Sequence, residues 1–177
     1  DDSDLPLYGE NIARMLPASG FVRGTVLAKA LAAELHTLRA RHTAFDLKYT
    51  GKDAVASYVE WLLDNSYLAQ REGLESMRQL RQYSKLPAAD GSAAILVLCR
   101  ALLRSGDGRI TPERCRLFLQ GCQQVYVLSR RELSCFIPAL KAAAVSELSQ
   151  LYDKEASDED RLAITAEHLF STLRTLS

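Results

Sequence analysis

The sequence predicts an all-α fold, a bundle or array of about six helices with one long central helix and no sheet. Three observations carry that expectation. Apolar residues recur at spacings of three and four, and no segment sustains the period-two alternation of a half-buried strand. Several expected helix ends carry a chemical marker, such as a capping hydroxyl or a first-turn proline. Composition is that of an ordinary globular protein, 47% apolar and 25% charged.

Residues 1–19 hold Asp1, Asp2, Asp4, Pro6, Gly9 and Pro17. They read as an extended lead with at most a short helix from about Gly9 to Leu16. Residues 20–177 read as a single helical domain. From Gly20 to Arg41, Val22, Val26, Leu27, Leu31, Leu35 and Leu38 fall at helical spacing. His42 to Gly51 reads as a loop whose Phe45, Leu47 and Tyr49 pack down. Lys52 to Tyr83 gives the central helix: Val55, Tyr58, Val59, Leu62, Leu63 and Tyr67 recur at three and four, and Leu74, Met77 and Leu80 continue them. Gly73 weakens that helix by about 1 kcal/mol against alanine.

Pro87 and Gly91 mark a loop. Ser92 to Ser105 is a short apolar helix, expected to be buried nearly all round. Ser105 to Gly108 is a turn. Thr111-Pro112-Glu113 opens a helix to about Val127 with a hydroxyl cap, a first-position proline and an acid near the positive end of the dipole. Ser129 and Glu132 form a capping box. They open a helix to about Tyr152, with Pro138 deep enough inside to kink it. Ser157 to Asp160 caps a last helix to about Leu173.

A chain of 177 residues fits one domain and buries roughly 70% of its unfolded surface, so its core needs no staples. Lys plus Arg equals Asp plus Glu at 22 each, which leaves no long-range field for nucleic acid or an acidic membrane surface. The cysteines, Cys99, Cys115, Cys122 and Cys135, include no Cys-x-x-Cys pair and read as buried free thiols in a reducing compartment. His36, His42 and His168 lie far from them in sequence, so no metal is expected. The apolar run from Ala93 to Leu103, broken by Arg100, is too short to span a bilayer. Neither a Gly-rich phosphate loop nor a Ser-His-Asp order occurs, and no cofactor is expected. Asp107-Gly108-Arg109-Ile110 looks like the centre of a calcium loop, but the twelfth loop position is then Arg114, where a bidentate glutamate is required. With no signal peptide, and with Asp1-Asp2 at its start, the chain reads as a segment of something longer.

Val59 to Leu68 is the most distinctive stretch. It holds the single tryptophan, Trp61, with Glu60 and Asp64 one turn apart on a shared face and Asn65 beside the second. Paired carboxylates can do acid–base work, yet nothing in the sequence supplies a nucleophile or a phosphate cradle to go with them. The reading preferred is a structural polar cluster of Glu60, Asp64 and Asn65 tied to Arg78 or Arg81, in which Asp64→Ala destabilises the fold. Trp61 reads as a core anchor. In the rival reading Trp61, Tyr58 and Tyr67 line a groove that binds glucan. A third makes the chain a free-standing adaptor whose arginines, among them Arg71, Arg100, Arg104 and Arg109, contact an anionic partner.

Four stretches together resemble the N-terminal helical region of cyclic β-1,2-glucan synthetase-like proteins, large enzymes of a glycosyltransferase grouping. They are Glu60 to Leu68, Tyr83 to Pro87, Asp107 to Arg109 with Phe118, Leu119 and Gln123, and Leu128 to Leu133 leading to Ile137 to Leu140. The likeness covers about residues 55–150. It implies a non-catalytic helical domain that docks on and positions the glycosyltransferase and phosphorylase modules of the same chain. It also implies a cytoplasmic location for this segment, in a parent associated with the bacterial inner membrane. No catalytic residue is implied for this segment.

Overall fold

The computed structural model describes residues 1–153 and 158–177. Among these are eight α-helices, a leading 3₁₀ turn and a three-stranded antiparallel sheet. The expectation of about six helices and no sheet is therefore corrected on both counts.

The sheet joins β1 (Ala18–Val22), β2 (Leu86–Ala89) and β3 (Ser92–Ala93) in that order. β2 and β3 form a hairpin across Asp90-Gly91, with Ala89 opposite Ser92. Both loop residues have positive φ, 52° and 78°, as a two-residue type I′ turn requires. The segment expected as a loop around Pro87 and Gly91 is thus a hairpin. Strands this short leave no alternation to read, and β1 comes from far upstream.

Two further helices come from the ends of expected segments. α1 (Leu5–Arg14) begins well before Gly9, with Pro6 in its first turn, and packs against α5 (Pro112–Cys122) and α4 (Ala94–Ser105). The helix expected from Ser129 to Tyr152 is two, α6 (Arg130–Ser134) and α7 (Phe136–Leu151). Pro138 falls in the first turn of α7, where a missing N–H costs little, so the chain breaks at Cys135 and is not kinked at the proline.

α2 (Gly24–Tyr49) runs straight through the expected loop and, at 26 residues, is longer than α3 (Ser57–Leu80). Phe45 explains the continuation: its ring lies 5.1 Å from Tyr49 and 4.9 Å from Tyr152, so helical spacing docks both aromatics of α2 on the core. α3 is still the central helix, packed against α2, α7 and α8 (Glu159–Leu176). α4 (Ala94–Ser105) is not enclosed, since Leu96, Val97, Arg100 and Ala101 stay half-exposed. The enclosed helix is α7, where Pro138 to Ser146 are buried without interruption.

Caps agree with the sequence at three places. Thr111 opens α5 (Pro112–Cys122), the Ser129–Glu132 box opens α6, and Asp158 accepts the Arg161 N–H at the start of α8. Ser157, expected as part of that last cap, lies outside the described residues. α1 and α5 cross at backbone contact: a Cβ on Gly121 would strike the Pro6 carbonyl oxygen, and one on Gly9 that of Phe118. Among the described residues no helix is long and apolar enough to cross a membrane.

Candidate functional site

α3 buries Tyr58, Leu62, Asn65, Ala69, Glu72 and Ser76, a stripe at spacings of three and four. Glu60, Asp64 and Tyr67 lie on the opposite, exposed face. Glu60 and Asp64 form no ion pair among the described residues. The expected cluster is not assembled as read from the sequence. Arg78 pairs at the surface with Glu75, at 3.5 Å, and Arg81 is exposed at the end of α3. The anchored member is Asn65. Its Nδ2–H donates to the Trp61 carbonyl at 3.1 Å, and its Oδ1 accepts from Arg174 Nη2 at 2.6 Å, tying α3 to α8.

The three aromatics do not share a surface. Tyr58 is buried beside Phe45, Trp61 is half-buried against the core, and Tyr67 is 60% exposed. Sugar stacking needs accessible ring faces side by side, and this arrangement does not present them.

Other polar groups in the interior carry more weight. Two turns beyond Asn65, Glu72 Oε2 meets Lys141 Nζ at 3.1 Å, with both side chains only 5% exposed. Arg71 Nε approaches Glu72 Oε1 at 3.3 Å from the surface. One turn on, the Ser76 hydroxyl donates to the Pro138 carbonyl at 2.7 Å, fixing α3 against the first turn of α7. Arg114, buried in the first turn of α5, pairs with Asp2 through Nη1 and donates from Nη2 to Ser105 Oγ at 2.8 Å. The enclosed Glu132 carboxylate accepts the Ser129 N–H and hydroxyl, each at 3.0 Å, and the Tyr126 hydroxyl at 2.9 Å. Burial, and then the Glu132 carboxylate, hold the Tyr126 phenol above its ordinary range.

Ser66 Oγ and His42 Nε2 stand 3.3 Å apart across α2 and α3. The far ring nitrogen, Nδ1, is buried without a partner among the described residues, and none of them supplies the carboxylate that orients the histidine of a catalytic triad. All four cysteines are free, and Cys99, Cys122 and Cys135 are buried. Burial pushes Cys122 and Cys135 up to about 12, with the Glu132 carboxylate adding to the effect on Cys135. Thiolate is the reactive and metal-binding form, so these thiols are inert near neutral pH. Among the described residues no group of three or more His, Cys, Asp or Glu side chains is placed to hold a metal ion.

Two clefts merit comparison. The larger, about 600 Å³, lies among α4, α7 and α8, and its cations are already paired: Arg104 with Glu147 and Arg161 with Asp107, each at 2.9 Å. The other, about 340 Å³, runs between α1 and α4. Its walls include Tyr8, Ile12, Met15, Leu16 and Val97, and Arg100 lines it too. Arg100 Nε is buried without a hydrogen-bond partner. No carboxylate among the described residues is within ion-pair distance of Arg100.

Sequence reasoning passed over Glu72, Lys141 and Arg174, and met Glu132 only as a cap and Arg114 only as a calcium-loop mismatch. A signal existed for two of them: Glu72 continues the apolar stripe of α3 in step, and Lys141 interrupts an Ala/Leu run. No protein-family model, curated protein or solved structure matches this chain.

Proposed function

We propose that this chain is a non-catalytic helical domain that docks on partner modules and holds them in position. The observation that carries this reading is how its buried polar groups are used. Glu72 with Lys141, Asn65 with Arg174, Ser76 with the Pro138 carbonyl and Arg114 with Asp2 each join one element to another. Groups spent in this way stiffen a scaffold and leave little chemistry free for a substrate. Rigid domains suit docking because little order is lost on association.

The partners we propose are the glycosyltransferase and phosphorylase modules of a cyclic β-1,2-glucan synthetase-like parent. That parentage is supported by the sequence likeness, of which Glu60 to Leu68 is the most specific part. The glucan-binding alternative is not favoured, because Tyr58 is buried away from Tyr67. The test has two arms. The isolated chain is incubated with a sugar nucleotide, and separately with β-glucan and phosphate; no turnover is expected in either, and robust turnover in one refutes a docking-only role. The chain is then mixed with the modules encoded beside it, where a stable complex is expected and its absence removes the proposed partners.

A further inference from the structure

We infer that the groove between α1 and α4 is the docking surface, and that its occupant is an apolar segment of a partner protein bearing a carboxylate that pairs with Arg100. The inference rests on the docking reading above and adds to it the place and the chemistry of contact.

Charge complementarity selects the occupant. Most cations in or near the protein interior already have an acid: Lys141 has Glu72, Arg114 has Asp2, Arg104 has Glu147 and Arg41 has Asp153. Arg100 is half-buried on α4 and has none among the described residues. Its Nε is an orphan donor. A guanidinium among apolar walls is poorly hydrated, so a carboxylate there forms a charge-assisted pair stronger than one in open water. Apolar side chains flanking that carboxylate would cover Ile12, Leu16 and Val97, which now meet water.

The lining favours a protein segment over a small amphiphile. Tyr8, Met15 and the arginines Arg100 and Arg104 belong to the residue types enriched where proteins meet. Met15, 72% exposed at the rim, is unbranched and adaptable, as surfaces that receive a helix face often are. The backbone crossing of Gly9 and Gly121 anchors α1 on α5, so the wall carrying Tyr8, Ile12 and Met15 is held in place before anything binds.

The experiment is selection of a random peptide library on the immobilised 177-residue chain, followed by affinity measurement with synthetic copies of the selected peptides. Expected are sequences with one Asp or Glu among apolar residues. Replacing that acid by its amide, or introducing Arg100→Gln, should weaken binding about tenfold or more, whereas Arg78→Gln should leave it unchanged. Met15→Glu, on an exposed side chain that folding does not need, should abolish binding by placing a like charge at the rim. Amide exchange of the bound chain should show protection on α1 and α4. Selected peptides that bind Arg100→Gln and Met15→Glu like the wild type, and protect another surface, overturn the groove while leaving the docking reading intact. No enrichment at all overturns the groove as a docking surface, and decanoate protecting α1 and α4 then assigns it to a lipid-like ligand; the docking reading itself stands or falls on the complex with the modules.

Discussion

Glu72→Gln is expected to destabilise the fold by about 3–5 kcal/mol, and Lys141→Met by only about 1–3 kcal/mol. The asymmetry follows from what each change leaves behind. Without the Glu72 charge, the Lys141 ammonium stays on the enclosed stretch of α7, with Pro138 to Ser146 all buried and no second carboxylate among the described residues in contact. Without Lys141, the Glu72 carboxylate keeps Arg71, whose Nε is 3.3 Å away and whose side chain, 59% exposed, is free to swing closer. Removing both charges, as Glu72→Met with Lys141→Met, should return stability to within about 1–2 kcal/mol of the wild type, since a buried pair mostly repays its own desolvation. At about 2–4 °C per kcal/mol for a chain of this size, Glu72→Gln should lower Tm by roughly 6–20 °C. Urea unfolding followed by the fluorescence of Trp61, the single tryptophan, and by helical circular dichroism measures all three variants. If Glu72→Gln is no worse than Lys141→Met, or if the double variant is as unstable as the worse single one, the pair does not hold α3 to α7 as described.

Asn65→Ala should cost about 1–3 kcal/mol by releasing Arg174, while Asp64→Ala, on the exposed face of α3, should fall within about 0.5 kcal/mol of the wild type. Urea midpoints for the two variants decide between them, and equal losses would return Asp64 to a structural role. Gly121→Ala should cost about 1–3 kcal/mol by driving its methyl into the Pro6 carbonyl and forcing α1 off α5, seen as lost amide protection confined to α1. Alkaline pH should weaken the fold through Cys122 and Cys135: each keeps its proton up to about 12 when folded but loses it near 8.5 when unfolded. The folded state then binds more protons, so stability is intact below about pH 8.5 and falls as pH rises toward 12. The Cys122→Ala, Cys135→Ala double variant should flatten that fall in a urea series across pH, and an unchanged slope would assign it to other groups.

The helices were legible where chemistry marks them. Thr111-Pro112, Ser129 with Glu132, and Asp158 cap as their residue types dictate, because capping is a local exchange between a side chain and orphan N–H groups. The sheet was not legible from periodicity, since β3 has two residues and β1 lies far from its partner. The Asp90-Gly91 pair did carry a local hairpin signal. The extension of α2 was hidden for a different reason. Phe45 and Tyr49 look like a packed loop until Tyr152, a hundred residues on, supplies a ring for Phe45, against which Tyr49 packs in turn. Partner choice was hidden in the same way. Asn65 was legible as polar on an apolar stripe, but Arg174 rather than Arg78 answers it, because α8 and not the end of α3 lies over that face.

The stretch from Val59 to Leu68 shows how the two faces of one helix divide structure from exposure. Its inward residues, Leu62 and Asn65, belong to a chain of contacts that Glu72 and Ser76 extend along α3. Glu72 and Lys141 face each other in the interior, which is why loss of the Glu72 charge alone is expected to cost much and the double replacement little. Its outward residues, Glu60, Asp64 and Tyr67, are exposed to solvent. Substitutions there should leave stability untouched, so any effect they have on assembly reports contact with a partner directly. Arg100 sits between these two cases, half-buried yet unmatched, and a cation in that position is stabilised more by an incoming carboxylate than by the water it now meets.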